Sequence, residues 1–176
     1  ILLLCYNINE GTPRKEDYFM TLSPLIVCNN ILQRSFKENV VVTPMKLQKL
    51  MYFISCEYIK ATNNELLSED FYVWQYGPVL PTVYNEFKTF RGNQITTYAK
   101  DAEGNVFVYN EETSPNLKTS IERIWNSFKN MSGIQLSTIT HEDGSGWSKA
   151  FSTHQERITK EQMKADDSYK QYMLHQ

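Results

Sequence analysis

Three times in this chain a hydroxyl residue is followed by proline: Ser23-Pro24, Thr43-Pro44 and Ser114-Pro115. Proline breaks a helix interior, but it fits the first helical position, where its missing N–H has no partner to lose. A hydroxyl just before it can accept from a free N–H of the first turn. Each pair therefore marks a helix start, and each precedes an apolar stripe of helical period. Leu25, Cys28, Ile31, Leu32 and Phe36 follow Pro24. Leu47, Leu50, Met51, Ile54 and Tyr58 follow Pro44, and Asn63-Asn64 ends that stretch. Leu117, Ile121, Ile124, Trp125 and Phe128 follow Pro115, with Gly133 as the expected stop.

Shorter helices fill in the rest. Pro81 opens one with Val83, Tyr84, Phe87 and Phe90 inward. Others cover Ile134 to Thr140 and a stretch from Trp147 with Ala150 and Phe151 facing in. Thr159 with Gln162 is a capping-box pattern for a last helix carrying Met163. Two segments lack helical period. Asp70 to Leu80 reads as an extended crossing segment, and Ile95 to Tyr109 as a hairpin turning at Asp101 to Asn105. The expectation is a mainly α, single compact domain of about six to seven helices with one small β-hairpin. An N-terminal arm covers 1–22 and the helical domain 23–176, with the hairpin inserted at 95–109.

Composition narrows the class. The 176 residues carry 18 Lys+Arg against 20 Asp+Glu and are 13% aromatic, which is too apolar and too neutral for disorder or a polycation. No run approaches the ~20 apolar residues that span a bilayer. Ile1 to Tyr6 lacks the flanks of a signal peptide, and Cys5, Cys28 and Cys56 make no disulfide framework. A cytoplasmic protein without a membrane partner is expected. Arg14-Lys15 and Lys46/Lys49 are small basic groups, and the latter pair reads as a solvated edge of its helix, so nucleic-acid binding is not expected.

Catalytic motifs are missing. The sequence holds no glycine-rich phosphate loop, no paired CxxC and no HExxH, so no cofactor is expected. Thr140-His141-Glu142-Asp143 is the one polar cluster, but its spacing supplies too few ligands for a metal. His141 reads instead as a helix-end residue, and a metal enzyme built there is the minor alternative.

Three motif blocks follow one another along the chain. The first block is Thr43-Pro44-Met45-Lys46-Leu47-Gln48-Lys49-Leu50-Met51-Tyr52-Phe53. The second is Phe71-Tyr72-Val73-Trp74-Gln75-Tyr76-Gly77-Pro78-Val79-Leu80-Pro81-Thr82-Val83-Tyr84. The third is Leu136-Ser137-Thr138-Ile139-Thr140-His141-Glu142 followed by Trp147. Their order resembles the Panacea domain family, also called SocA-like or GepA-like phage-associated proteins. One departure is Gly146, where the family commonly has Pro. The resemblance implies a non-catalytic, helical antitoxin that neutralises a protein toxin by direct binding, in some members as an adaptor to a protease. A phage-encoded inhibitor of a host defence protein is the alternative on the same scaffold. Two roles stay open for the motif residues: scaffold or partner groove. Gly77-Pro78 and Pro81 give a rigid turn. Trp74, Tyr76 and Tyr84 are expected to pack on the Leu47–Tyr52 helix, and His141 to tie the third block to the second.

Overall fold

The computed structural model describes residues 21–173 and the backbone of two strands at 3–7 and 13–16. Among these residues the elements run β1 (Leu3–Asn7), β2 (Pro13–Glu16), α1 (Pro24–Glu38), α2 (Pro44–Thr62), β3 (Tyr72–Trp74), β4 (Gly77–Val79), α3 (Pro81–Phe87), β5 (Phe107–Tyr109), α4 (Pro115–Phe128), α5 (Gly133–Thr140), α6 (Gly146–Ser152) and α7 (Lys160–Lys164). The rest of the N-terminal arm and the last three residues, His175 included, lie outside the described residues. No described helix is long and apolar enough to cross a membrane.

All three hydroxyl–proline pairs start helices. Only Thr43 makes the cap bond, accepting from the Lys46 N–H at 3.3 Å, whereas the side chains of Ser23 and Ser114 cap nothing. Asn39 and Asn63 end α1 and α2 in the left-handed conformation, with φ of 55° and 57°. Gly133 does not stop the Pro115 helix. It is the first residue of α5, which Ser132 and Gln135 start with a capping box. Thr159 and Gln162 do the same for α7.

α2 is the hub. It packs against α1, α3, α4, α5, α7 and β4, and every residue from Lys46 to Glu57 is buried. An all-round buried helix belongs inside a domain, and its side chains contribute roughly 1.5–3 kcal/mol each when large and apolar. Aromatic rings build the centre: Tyr52 meets Phe71 edge-on at 5.3 Å, and Phe53 lies 5.5 Å from Phe128 and 4.9 Å from Tyr169. Cys28 and Cys56 are free, fully buried core residues.

The hairpin forms, but not at 95–109. β3 and β4 pair antiparallel about the two-residue turn Gln75-Tyr76, so the 70–80 segment folds back on itself. In the 95–109 segment the turn at Asp101 to Asn105 closes as expected, yet only Phe107–Tyr109 is a strand, and it pairs with β1. Two buried amides on α1 explain the difference. Asn29 accepts from the Ala99 N–H at 2.9 Å and donates to the Ala99 and Phe107 carbonyls at 3.0 and 2.9 Å. Asn30 exchanges both bonds with Tyr109 at 2.8 Å. The backbone groups that would have zipped the strands together are held by α1 instead. β2, at the edge of the β2-β1-β5 sheet, has the sequence Pro-Arg-Lys-Glu, and proline and charge discourage further strand pairing.

Candidate interaction surface

The hairpin turn sits on a platform of side chains from α2, α5 and α6. Gln48 grips Leu80 at both ends, accepting from its N–H at 2.8 Å and donating to its carbonyl at 3.1 Å. Lys49 Nζ donates to the Pro78 carbonyl at 3.1 Å, and Ser137 Oγ to the Tyr76 carbonyl at 2.9 Å. Trp147 Nε1 donates to the Trp74 carbonyl at 3.0 Å. His141 ends α5 with Nδ1 2.6 Å from the Ser137 carbonyl and Nε2 3.1 Å from the Gln75 carbonyl. The carbonyls of Trp74, Gln75, Tyr76, Pro78 and Leu80 are thus each held by a different side chain. At a net 0.5–1.5 kcal/mol per bond, the turn is fixed by roughly 3–7 kcal/mol of local contacts.

Gly77 is where this platform comes closest. Its φ is 101°, and a Cβ there would lie 2.6 Å from both Lys49 Nζ and Thr140 Oγ1. Only glycine meets the backbone angle and the clearance together. Lys46 and Lys49 are not the solvated edge that their spacing predicts. They are 4% and 1% exposed, because α2 is enclosed on all sides. Lys46 Nζ donates to the Val41 carbonyl at 3.0 Å and the Lys129 carbonyl at 2.5 Å. Burial lowers the Lys46 ammonium to about 8 and that of Lys49 to about 7.

A platform that holds the backbone from beneath leaves the side chains above it in water. Trp74 is 38% exposed, Tyr76 64% and Tyr84 41%, so they are surface rings and not the rings buried against the Leu47–Tyr52 helix that the sequence leads one to expect. Trp74 and Tyr84 meet edge to face, with centroids 4.9 Å apart. Trp147 is buried and stacks at 4.7 Å on Phe151, which is exposed and not inward as its spacing predicts. Of the expected helical core positions, Leu47, Leu50 and Tyr52 are fully buried, and Pro81 is the first residue of α3.

The polar cluster at 141–143 does not converge. His141 faces the hairpin, while Glu142 accepts from the Tyr172 hydroxyl at 2.5 Å and from Gln171 at 2.8 Å. No group of three His, Cys, Asp or Glu able to hold a metal occurs among the described residues. Burial pushes the Cys28 and Cys56 thiols well above their ordinary range, which suits packing and not nucleophilic attack.

The sequence profile of the family described as antitoxin SocA-like, Panacea domain, matches residues 47–148. The chain belongs to this family. The Panacea match takes in Gln48, Lys49, the whole hairpin, Ser137, His141 and Trp147, so the platform and the turn it carries are one family unit. The antitoxin SocA of Caulobacter vibrioides (strain NA1000 / CB15N) is 27% identical over 124 residues, which is 69% of this chain and 66% of that protein. This chain therefore spans just under two thirds of that relative's length. No solved structure matches the chain.

Ser137 is visible in the sequence only as part of the third motif block, and nothing in the local pattern marks Asn29 and Asn30 as the amides that hold the 99–109 backbone. A second buried network joins α2 to the C-terminal segment. Asp166, fully buried, accepts from the Tyr52 hydroxyl at 2.7 Å, the Gly146 N–H at 2.8 Å, and the Ser168 N–H and hydroxyl at 3.0 and 2.7 Å. Gly146 donates its N–H into this network, which a proline could not do, and a Cβ on it would overlap the Tyr52 hydroxyl.

Proposed function

We propose that this chain neutralises a protein toxin by binding it directly, without catalysis, and that the face formed by Trp74, Tyr76 and Tyr84 makes the contact. Membership of the antitoxin SocA-like family and the likeness to the antitoxin SocA support the first part. The observation that carries the second is a contrast at one site: a hairpin and its exit to α3 held at five backbone carbonyls, with Trp74 and Tyr76 of the hairpin and Tyr84 of α3 left exposed. Tryptophan and tyrosine dominate the energetics of protein interfaces, and pre-ordered rings lose little entropy on docking. A near-neutral chain suits a protein target better than a nucleic acid.

The test is co-expression with the toxic product of the adjacent gene. The wild-type chain should restore growth and co-purify with that product. Replacing Trp74, Tyr76 and Tyr84 together by Ser should weaken the complex by about thirtyfold or more, the scale of one hot spot, with the melting temperature changed little. Failure of the wild-type chain to rescue or bind rejects neutralisation. Undiminished binding by the triple variant rejects the aromatic face. Toxin levels in protease-deficient cells separate two routes: rescue that needs the protease assigns an adaptor role, and rescue without it assigns occlusion.

A further inference from the structure

Two residues that each carry an orphaned buried oxygen line a small cavity between α2 and the segment that precedes β3. Ser55 Oγ, on a residue 2% exposed in α2, and Glu69 Oε2, in the segment before β3, have no hydrogen-bond partner within the protein. Both residues line the same cavity of about 20 Å³, whose other walls include Ile59, Leu66, Phe71, Ile158 and Met163. An orphaned buried hydroxyl or carboxylate oxygen is costly, and proteins satisfy such groups with internal water when the space admits it. One water needs roughly 10–15 Å³ and at least two polar neighbours, and both conditions are met here.

We infer that one water molecule is a built-in ligand of this cavity, bridging Ser55 Oγ to Glu69 Oε2. The ligand must donate to a carboxylate oxygen and pair with a hydroxyl, which water does. Glu65, Asp70 and Lys160 also line the cavity, but no group of three His, Cys, Asp or Glu placed to hold a metal ion occurs among the described residues. The bridge matters because Glu69 has two ends. Its Oε1 accepts from the Thr82 N–H at 3.1 Å and the Thr82 hydroxyl at 2.9 Å, in the first turn of α3. Leu80, at the start of that helix, has no side chain able to cap it. Glu69 therefore caps α3 from outside, and the water ties that cap to the central helix. α3 carries Tyr84, so the bridge helps to set the ring that meets Trp74.

A high-resolution crystal structure of the whole chain tests this directly. Density for one water, within roughly 2.6–3.2 Å of both Ser55 Oγ and Glu69 Oε2, is the expected result. Amide exchange of the folded protein gives a second readout. Ser55→Ala, a small change that leaves Glu69 in place, should speed exchange at Thr82 by about two- to tenfold, the equivalent of one net hydrogen bond. A cavity without density overturns the inference. So does density with six or more oxygens at roughly 2.3–2.6 Å, which marks a cation. The Lys160 ammonium, which also borders the cavity, found bonded to Glu69 Oε2 would overturn it too. Unchanged Thr82 exchange in Ser55→Ala rejects the link to α3.

Discussion

Lys49 carries an ammonium group into the core, where its Nζ donates to the Pro78 carbonyl and the residue is 1% exposed. Folded, it titrates at about 7. Unfolded, a lysine titrates near ~10.4. Below about pH 7 both states hold the proton, and the cost of burying the charge is fully present. As pH rises above that point, the unfolded chain binds more protons than the folded one, so stability increases by at most about 1.4 kcal/mol per unit. Lys46, lowered to about 8, adds to the rise above its own pKa. Near pH ~8.5 and above, the reverse effect starts. Cys28, Cys56 and Tyr52 have raised values, so the folded state keeps protons that the unfolded state releases. The window between about pH 7 and 8.5 thus isolates the lysines. Urea midpoints of the wild-type chain should climb across it, and those of Lys49→Met should climb less. Equal slopes would mean that Lys49 is not a buried ammonium.

Among the elements, α1 shows how a helix can stand in for a strand. Asn29 and Asn30 point their amides at Ala99, Phe107 and Tyr109, giving these backbones the donors and acceptors that a sheet neighbour would supply. Asn29→Ala removes three of these bonds and leaves the Ala99 N–H and carbonyl without it. It should destabilise the chain by about 2 kcal/mol or more and raise amide exchange at Ala99. A loss well under about 1 kcal/mol would mean that the 95–109 segment holds itself in place. The hairpin expectation failed there for this reason. The turn at Asp101 to Asn105 does close, but strand pairing depends on which partners the fold brings to the backbone. In the second motif block, the notable feature was the Gly77-Pro78 turn, legible as rigid. That its chain folds back into β3 and β4 depends on Gln48, Lys49, Ser137, His141 and Trp147 meeting it from three helices.

At the scale of the whole molecule, α2 joins two buried polar networks, one under the hairpin and one at the C-terminal end. In the latter, Asp166 gathers Tyr52, Gly146 and Ser168, while Lys60 donates to the Asp166 carbonyl and to the Tyr169 hydroxyl at 2.8 Å. Tyr169 in turn donates to Glu57, which pairs with Arg123 of α4 at 2.7 Å. Asp166→Ala strands the Tyr52 hydroxyl and the Gly146 N–H inside the core. It should cost about 3 kcal/mol or more in a urea titration and loosen residues beyond α7. A change within about 0.5 kcal/mol would show that this end is held by apolar packing alone. The sequence by itself determined where the helices start, which apolar stripes of α1, α2 and α4 face the core, and that the three motif blocks belong together. Caps, proline positions and helical period act within a turn or two of chain, so they survive without a fold. Only the tertiary structure decided that Lys46 and Lys49 are buried, that Trp74, Tyr76 and Tyr84 face water, and that the hairpin lies at 72–79. Those outcomes rest on partners 29 and 73 positions apart, as in Lys49–Pro78 and Trp74–Trp147. Burial is a property of what surrounds a residue in space, and local pattern carries no record of it.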